Sequence, residues 1–327
     1  MKYAKILSSG IYIPRKIMRN DEFEKLTGTT IDPYYTEQIG INHRHISSDE
    51  ETPTYMASEA AKMALERANV TADQVDLIIV GTDTPEAISP PNAPRVQHLI
   101  GASKTEPLAF DVNASCANGA LMLDMAARYI SLGDYKYVLV IGTYAMTKFL
   151  SWKYPWEALF SDGAGAILLT SHEEPGYLGS VARTDGSWWH NWGIYMGAGT
   201  MNLQGIDRGL HRLDLRAPYP ATVNEEGWPM LIEKLMNKCS LTQEDVGMIF
   251  FTQVRKKSIM KVMETLNMPQ NKTHTVMEKY GYTGSACVYM AYHDAVECGK
   301  LERLKGRSLV FLTSGVGFQQ VAVAFKF

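Results

Sequence analysis

Short β-branched runs, too brief for a buried helix and too apolar for a half-exposed strand, set the strongest limit on how this chain can fold. Val75-Asp76-Leu77-Ile78-Ile79-Val80-Gly81-Thr82 is one such run and Tyr137-Val138-Leu139-Val140-Ile141-Gly142 another, while Pro107 to Val112 reads as a strand leading into Cys116. Runs of this kind mark strands covered on both faces. Between them, Thr52 to Ala68 and Leu121 to Leu132 repeat apolar residues at helical spacing, and Arg95 to Ile100 starts a further helix. On the first of these helices Thr54, Ser58 and Glu59 fall on the polar side. The alternation predicts an α/β chain with largely parallel strands. Residues 2 to 9 read as a strand and Asn20 to Thr27 as a short capped helix. Asp32 to Ile46 reads as a polar surface connection with ligand contacts, and Thr82 to Pro94 as a proline-rich loop.

The second part of the chain echoes the first. Thr71-Ala72-Asp73-Gln74-Val75-Asp76-Leu77-Ile78 has a counterpart in Thr242-Gln243-Glu244-Asp245-Val246-Gly247-Met248-Ile249, each entering a buried strand. Ser115-Cys116 precedes one long helix as Ser285-Ala286 precedes another, from Cys287 to Cys298, and Tyr137 to Gly142 is matched by Ser308 to Thr313. With 327 residues the chain exceeds a single small core. Duplication predicts two related halves, 1–170 and 171–327, joined within 171–220. The alternative is chance likeness between amphipathic α/β segments.

Charge and cysteine usage exclude several functions. The formal net charge is −3, with 20% charged and 46% hydrophobic residues, which disfavours a general attraction to nucleic acid or anionic membrane. Cys116, Cys239, Cys287 and Cys298 have no C-x-x-C spacing, so reduced thiols, a cytoplasmic location and no zinc or other metal site are expected. No stretch approaches the length of a membrane span, and the first residues lack the apolar run of a signal peptide.

Cys116 stands among small residues in Asp111-Val112-Asn113-Ala114-Ser115-Cys116-Ala117-Asn118-Gly119-Ala120, where a strand gives way to a helix. Backbone N–H groups at a helix start favour negative charge, so this placement predicts a thiol titrating below its free value and a candidate nucleophile. The competing reading is a buried small hydrophobe, the common state of a free cysteine.

Taken with Ile41 to Ile46, Phe160-Ser161-Asp162-Gly163-Ala164-Gly165-Ala166, Glu278-Lys279-Tyr280-Gly281 and Gly315-Val316-Gly317-Phe318, the Ser115-Cys116 motif resembles the thiolase-fold condensing enzymes, and among them β-ketoacyl-acyl carrier protein synthase III. The likeness spans nearly the whole chain. It implies a five-layer αβαβα fold, a homodimer, an acyl thioester on Cys116, and an oxyanion hole from the backbone N–H groups of Cys116 and Val316. It implies no cofactor beyond the acyl thioester substrate, and it puts partner contacts in the Thr82 to Pro94 loop.

Two positions depart from the family pattern. Thr252-Gln253-Val254-Arg255 stands where the family has His-Gln-Ala-Asn, and Tyr280-Gly281-Tyr282-Thr283 where it has Tyr-Gly-Asn-Thr. In a decarboxylating condensation, negative charge builds on the thioester oxygen of a malonyl unit, and the His and Asn donors are aimed there. Thr252 and Tyr282 each offer one O–H donor and are poor bases at neutral pH. Acyl loading on Cys116 is expected to survive, and ordinary malonyl condensation is not.

Related enzymes hold coenzyme A with a Trp and several Arg. The corresponding places here carry Tyr34, Gln38, Tyr154 and Lys257, which favours an acyl carrier protein over coenzyme A itself. Arg255-Lys256-Lys257 with Lys261 opens a helix where positive charge opposes the dipole. A pantetheine phosphate or an acidic carrier surface would relieve it, unless this is simply a solvated charge run. Trp188-Trp189-His190-Asn191-Trp192 would either line a substrate tunnel, with His190 as a replacement base, or form a packed loop or dimer contact. His293 is expected to be exposed on the last long helix. The glycines of Asp162 to Gly165 are expected to permit close packing between layers and not to bind phosphate.

Three functions follow. The first is acyl transfer through a Cys116 thioester to an acceptor in a specialised fatty-acid, polyketide or related pathway. The second is a decarboxylative β-ketoacyl synthase using Thr252 and Tyr282 as donors. The third is a non-catalytic partner subunit of a ketosynthase heterodimer.

Overall fold

The structure is a computed structural model that describes residues 2–220 and 222–327. Two sheets carry the fold. In the first, strand Tyr3–Tyr12 is followed across the sheet by Gly163–His172, Tyr137–Tyr144, Leu77–Gly81 and Leu108–Val112. The first two junctions are antiparallel and the last two parallel. The second sheet runs Tyr177–Thr184, Gln319–Lys326, Ser308–Gly315, Val246–Phe251, with two antiparallel junctions and then a parallel one. Its four strands repeat the order and sense of the first four strands of the other sheet. Leu77–Gly81 and Val246–Phe251 are buried along their full length, as their unbroken apolar character requires.

Helices Asn118–Leu132 and Cys287–Glu297 form the middle layer, each packed on strands of both sheets. Pro53–Ala68 covers the outer face of the first sheet, and Val223–Cys239 covers that of the second, giving five layers. Glycine sets the spacing between the inner layers. A Cβ on Gly142 would stand 2.2 Å from the Ser285 carbonyl oxygen, and one on Gly165 would stand 2.7 Å from Tyr289 Cβ. The packing role expected for the Gly163 to Gly165 stretch is what these contacts show.

Several local expectations are corrected. His293 is 5% exposed, and its Nδ1 lies 3.1 Å from Ser9 Oγ, because a helix held between two sheets has no solvent face at its centre. Thr54 and Ser58 are likewise buried on the helix that packs against the first sheet, Thr54 donating to Glu86 and Ser58 to the Tyr55 carbonyl. The supposed surface connection before Ile46 ends in a strand, His43–Ile46, in which Arg44 is 1% exposed. The Arg44 guanidinium spends its donors on the Ala158 and Met18 carbonyls and on Asn20 Oδ1. The helix expected from Arg95 begins at Asn92, because the Asp111 carboxylate accepts the N–H groups of Asn92 and Ala93 at 2.8 and 2.7 Å and so caps the first turn. The strand expected to end at Gly142 continues to Tyr144.

Candidate active site

Residues Ser115–Ala117 make one tight turn between strand Leu108–Val112 and helix Asn118–Leu132. Ser115 is held at φ 51°, in the left-handed region that costs a residue with a Cβ energy unless its surroundings enforce it. They do so from both halves of the chain. Asn118 Oδ1 accepts the Ala114 N–H at 2.7 Å, and Asn118 Nδ2 donates to Ser285 Oγ at 3.1 Å. Ser285 Oγ in turn donates to the Ser115 carbonyl at 3.1 Å, and Thr313 Oγ1 to the Ala117 carbonyl at 2.9 Å.

The turn places Cys116, 6% exposed, in the wall of a cavity of about 340 Å³, a size within the range of small-molecule sites. Phe160, Trp192, Leu213 and Phe318 give the cavity much of its apolar lining. Burial, reinforced by the nearby Asp83 carboxylate, pushes the Cys116 thiol well above its ordinary value, and O–H donors on Tyr282 and Tyr144 pull in the opposite direction. The expected low-pKa thiol is therefore corrected. Desolvation of the sulfur outweighs the helix start, so the resting group is a thiol.

Thr252 and Tyr282 both line this cavity. Thr252 Oγ1 accepts the Ser314 N–H at 2.9 Å, which leaves its single O–H available as a donor. Tyr282 is fixed through its backbone. Its N–H donates to the Leu159 carbonyl at 3.1 Å and its carbonyl accepts the Ser161 N–H at 2.9 Å. Burial and the Cys116 sulfur both raise its phenol, so Tyr282 is a donor and not a base. Val316 also lines the cavity, and the left-handed conformations in this turn fall to Gly317 (φ 78°) and Phe318 (φ 55°). A Cβ on Gly315 would come 2.5 Å from the Ala114 carbonyl oxygen, so glycine is required where the closing turn meets the nucleophile turn.

The other expected contact residues stand elsewhere; none of them lines the cavity. Tyr34 lies under the Arg255 guanidinium, 5.4 Å from ring centroid to carbon, and Gln38 is half-buried. Tyr154 is exposed and stacks on Trp156, Lys256 pairs with Glu278 at 2.5 Å, and Lys257 points to solvent. Trp188 stacks on Tyr219 and donates to Asp185, and it is its neighbours Trp189 and Trp192 that reach the cavity. His190 is exposed and its carbonyl accepts the Tyr195 hydroxyl, so its ring is not brought to the sulfur.

Among the cavity residues not singled out from sequence are two that bear on the chemistry: Tyr144, just past the expected end of its strand, and Asp83. Their signal was position. Strands Leu77–Gly81, Leu108–Val112 and Tyr137–Tyr144 are parallel, with Gly81 opposite both Val112 and Gly142, so residues just after each emerge at one end of the sheet. Carboxyl ends of parallel strands are where α/β sheets place their chemistry. Among the described residues, no group of three or more His, Cys, Asp or Glu could hold a metal ion, and no helix is long and apolar enough to cross a membrane.

A buried cysteine at the start of a helix sandwiched between two sheets of matching order defines a protein of the thiolase fold. Comparison with known proteins narrows this. The signature described as 3-Oxoacyl-[acyl-carrier-protein (ACP)] synthase III matches residues 110–186, and that of its C-terminal part matches residues 236–327. A β-ketoacyl-[acyl-carrier-protein] synthase III of Coxiella burnetii is 32% identical over 328 residues, covering all of both chains. One of Xanthomonas campestris pv. campestris is 31% identical over 97% of this chain and 96% of its own. The crystal structure of the 3-oxoacyl-[acyl-carrier-protein] synthase III from Aquifex aeolicus superposes with a TM-score of 0.88 at 29% identity, covering 99% of this chain and 100% of that one. The chain belongs to the 3-oxoacyl-[acyl-carrier-protein] synthase III family.

Proposed function

We propose that this protein is an acyltransferase that accepts an acyl group from an acyl thioester onto Cys116 and passes it to an acceptor. The observation that carries this reading is a lone buried thiol facing an apolar cavity of about 340 Å³, with two phenolic donors, Tyr144 and Tyr282, beside the sulfur. Apolar walls suit an acyl chain, and O–H donors suit a sulfur that becomes anionic as the acyl group leaves. The backbone N–H groups of Cys116 and Val316 serve as the oxyanion hole, with Thr252 as a further hydroxyl donor. The two halves, 1–170 and 171–327, each contribute to the site. The acyl group arrives on an acyl carrier protein or coenzyme A, with Tyr34, Gln38, Tyr154, Arg255, Lys256 and Lys257 as the outer contact surface. No cofactor takes part.

The names of the relatives favour a second reading, decarboxylative condensation with Thr252 and Tyr282 replacing imidazole and carboxamide. Intact-protein mass spectrometry after exposure to acyl thioesters of graded length separates the possibilities. Acyl transfer predicts one acyl mass on the wild type and none on Cys116→Ala. Carbon dioxide released from malonyl carrier protein by the acylated enzyme would favour condensation. An unmodified protein at every chain length would leave only a non-catalytic partner role.

A further inference from the structure

Among the residues that line the same cavity is one carboxyl group that the roles above do not use. Asp83 and Cys116 both line the cavity, and Asp83 Oδ1 is buried with no hydrogen-bond partner. An orphaned, buried carboxylate oxygen is costly, and a fold keeps one only where the surroundings hold it in place. Here the holding is visible. Thr82 N donates to the Val112 carbonyl at 3.3 Å, tying the segment to the strand that leads to Cys116. Thr84 N donates to Thr82 Oγ1 at 3.0 Å, and Thr84 Oγ1 accepts the Ala145 N–H at 2.9 Å. The residues on either side of Asp83 are thus pinned to the two strands that bring Cys116 and Tyr144 to the cavity.

Among the described residues, no Lys, Arg or His neutralises the carboxylate. The titratable groups that feel its charge are Cys116, Tyr144 and Tyr282, which come from the nucleophile turn, the neighbouring strand and the second half of the chain. Burial raises the Asp83 carboxyl to about 6. All three neighbours are neutral at that pH, so a titration step there belongs to Asp83. It is a proton acceptor above that pH, in a site whose thiol otherwise keeps its proton.

We propose that Asp83 is the acid–base residue of this site, moving the proton on and off Cys116 and the acceptor. This deepens the acyl-transfer reading and rests on it for the second step. In the first step the Cys116 S–H proton passes through one bridging water in the cavity to the Asp83 carboxylate as sulfur bonds to the thioester carbonyl carbon. The bond to the carrier sulfur breaks, and Asp83 returns the proton to that departing thiolate. In the second step an acceptor X–H gives its proton to Asp83 as X bonds to the acyl carbon. The Cys116–acyl bond breaks and the proton goes back to the sulfur. The acceptor class this requires is a hydroxyl, amine or thiol.

The test is the pH dependence of Cys116 alkylation by iodoacetamide, read by peptide mass, in wild type and Asp83→Asn. It needs no acyl chemistry, so it stands apart from the acyl-adduct experiment. Proton exchange between Asp83 and Cys116 gives the wild type a step near pH 6 followed by a plateau. Asp83→Asn then loses the step and reacts at least about tenfold more slowly at pH 7. If Asp83 only repels the thiolate, Asp83→Asn reacts as fast or faster, and the proposal is overturned. Should that variant not fold, Asp83→Ala with added formate decides: a rate restored by formate supports the proposal, and an unrestored one overturns it.

Discussion

Tyr282 and Phe160 are locked together, with ring centroids 6.0 Å apart and the backbone of Tyr282 bonded to the residues on either side of Phe160. This bracing fixes where the Tyr282 hydroxyl can point, and its O–H pulls the Cys116 thiol downward against burial. Tyr282→Phe keeps the ring contact and removes only the donor. A hydrogen bond to a charged group contributes about 1.5–3 kcal/mol, so the thiolate loses roughly 10- to 100-fold in population. Cys116 alkylation at a fixed pH should slow by that order while the melting temperature stays within a few degrees. An unchanged rate would remove Tyr282 from the site.

Tyr144 offers the second O–H, and its ring lies 6.1 Å from that of Tyr282. Tyr144→Phe should slow alkylation in the same direction. The double variant should lose less than the product of the two single effects, because two donors to one sulfur are coupled. A double-mutant cycle on the alkylation rate measures this directly.

The spacing between layers allows no added methyl at Gly142. Gly142→Ala sets a Cβ 2.2 Å from the Ser285 carbonyl oxygen, and overpacking of this kind typically costs about 1–3 kcal/mol. The urea midpoint should fall accordingly, and acyl loading should fall with it, since Ser285 also supports the nucleophile turn. A fall in stability with full loading would separate the two roles.

Acid sensitivity should trace to Asp294. Burial alone would raise its carboxyl, but hydrogen bonds from Lys279, His274 and Tyr280 hold it down to about 2. A carboxyl depressed in the folded state contributes stability that is present above its unfolded value of about 3.9 and lost as pH falls toward 2. Wild type should therefore lose stability over that window more steeply than Asp294→Asn, measured by thermal melts at stepped pH. Equal slopes would place the acid sensitivity elsewhere.

What the sequence disclosed were features that follow from short-range pattern. Leu77–Gly81 reads as a buried strand because its residues are apolar in succession, and Cys116 stands out because small residues surround it at a strand-to-helix junction. What it hid depends on partners distant in the chain. His293 looks solvent-facing until the second sheet covers its helix, and the depressed thiol expected from the helix start gives way to desolvation supplied by remote walls. Asp83 was hidden by its company, an acid in a proline-rich stretch that reads as loop. Only strand register shows that it rises beside Cys116. His190 and Trp188 drew notice within a cluster, yet it is Trp189 between them, still largely exposed, that borders the cavity.

The Ser285 hydroxyl, shared between Asn118 and the Ser115 carbonyl, means that neither half owns the nucleophile. Chimaeras that splice the first half of this chain to the second half of a relative would therefore inherit a cysteine without its keeper unless a serine occupies that one position. Recombination within the family is free to exchange acyl-chain walls, but this one link must travel intact.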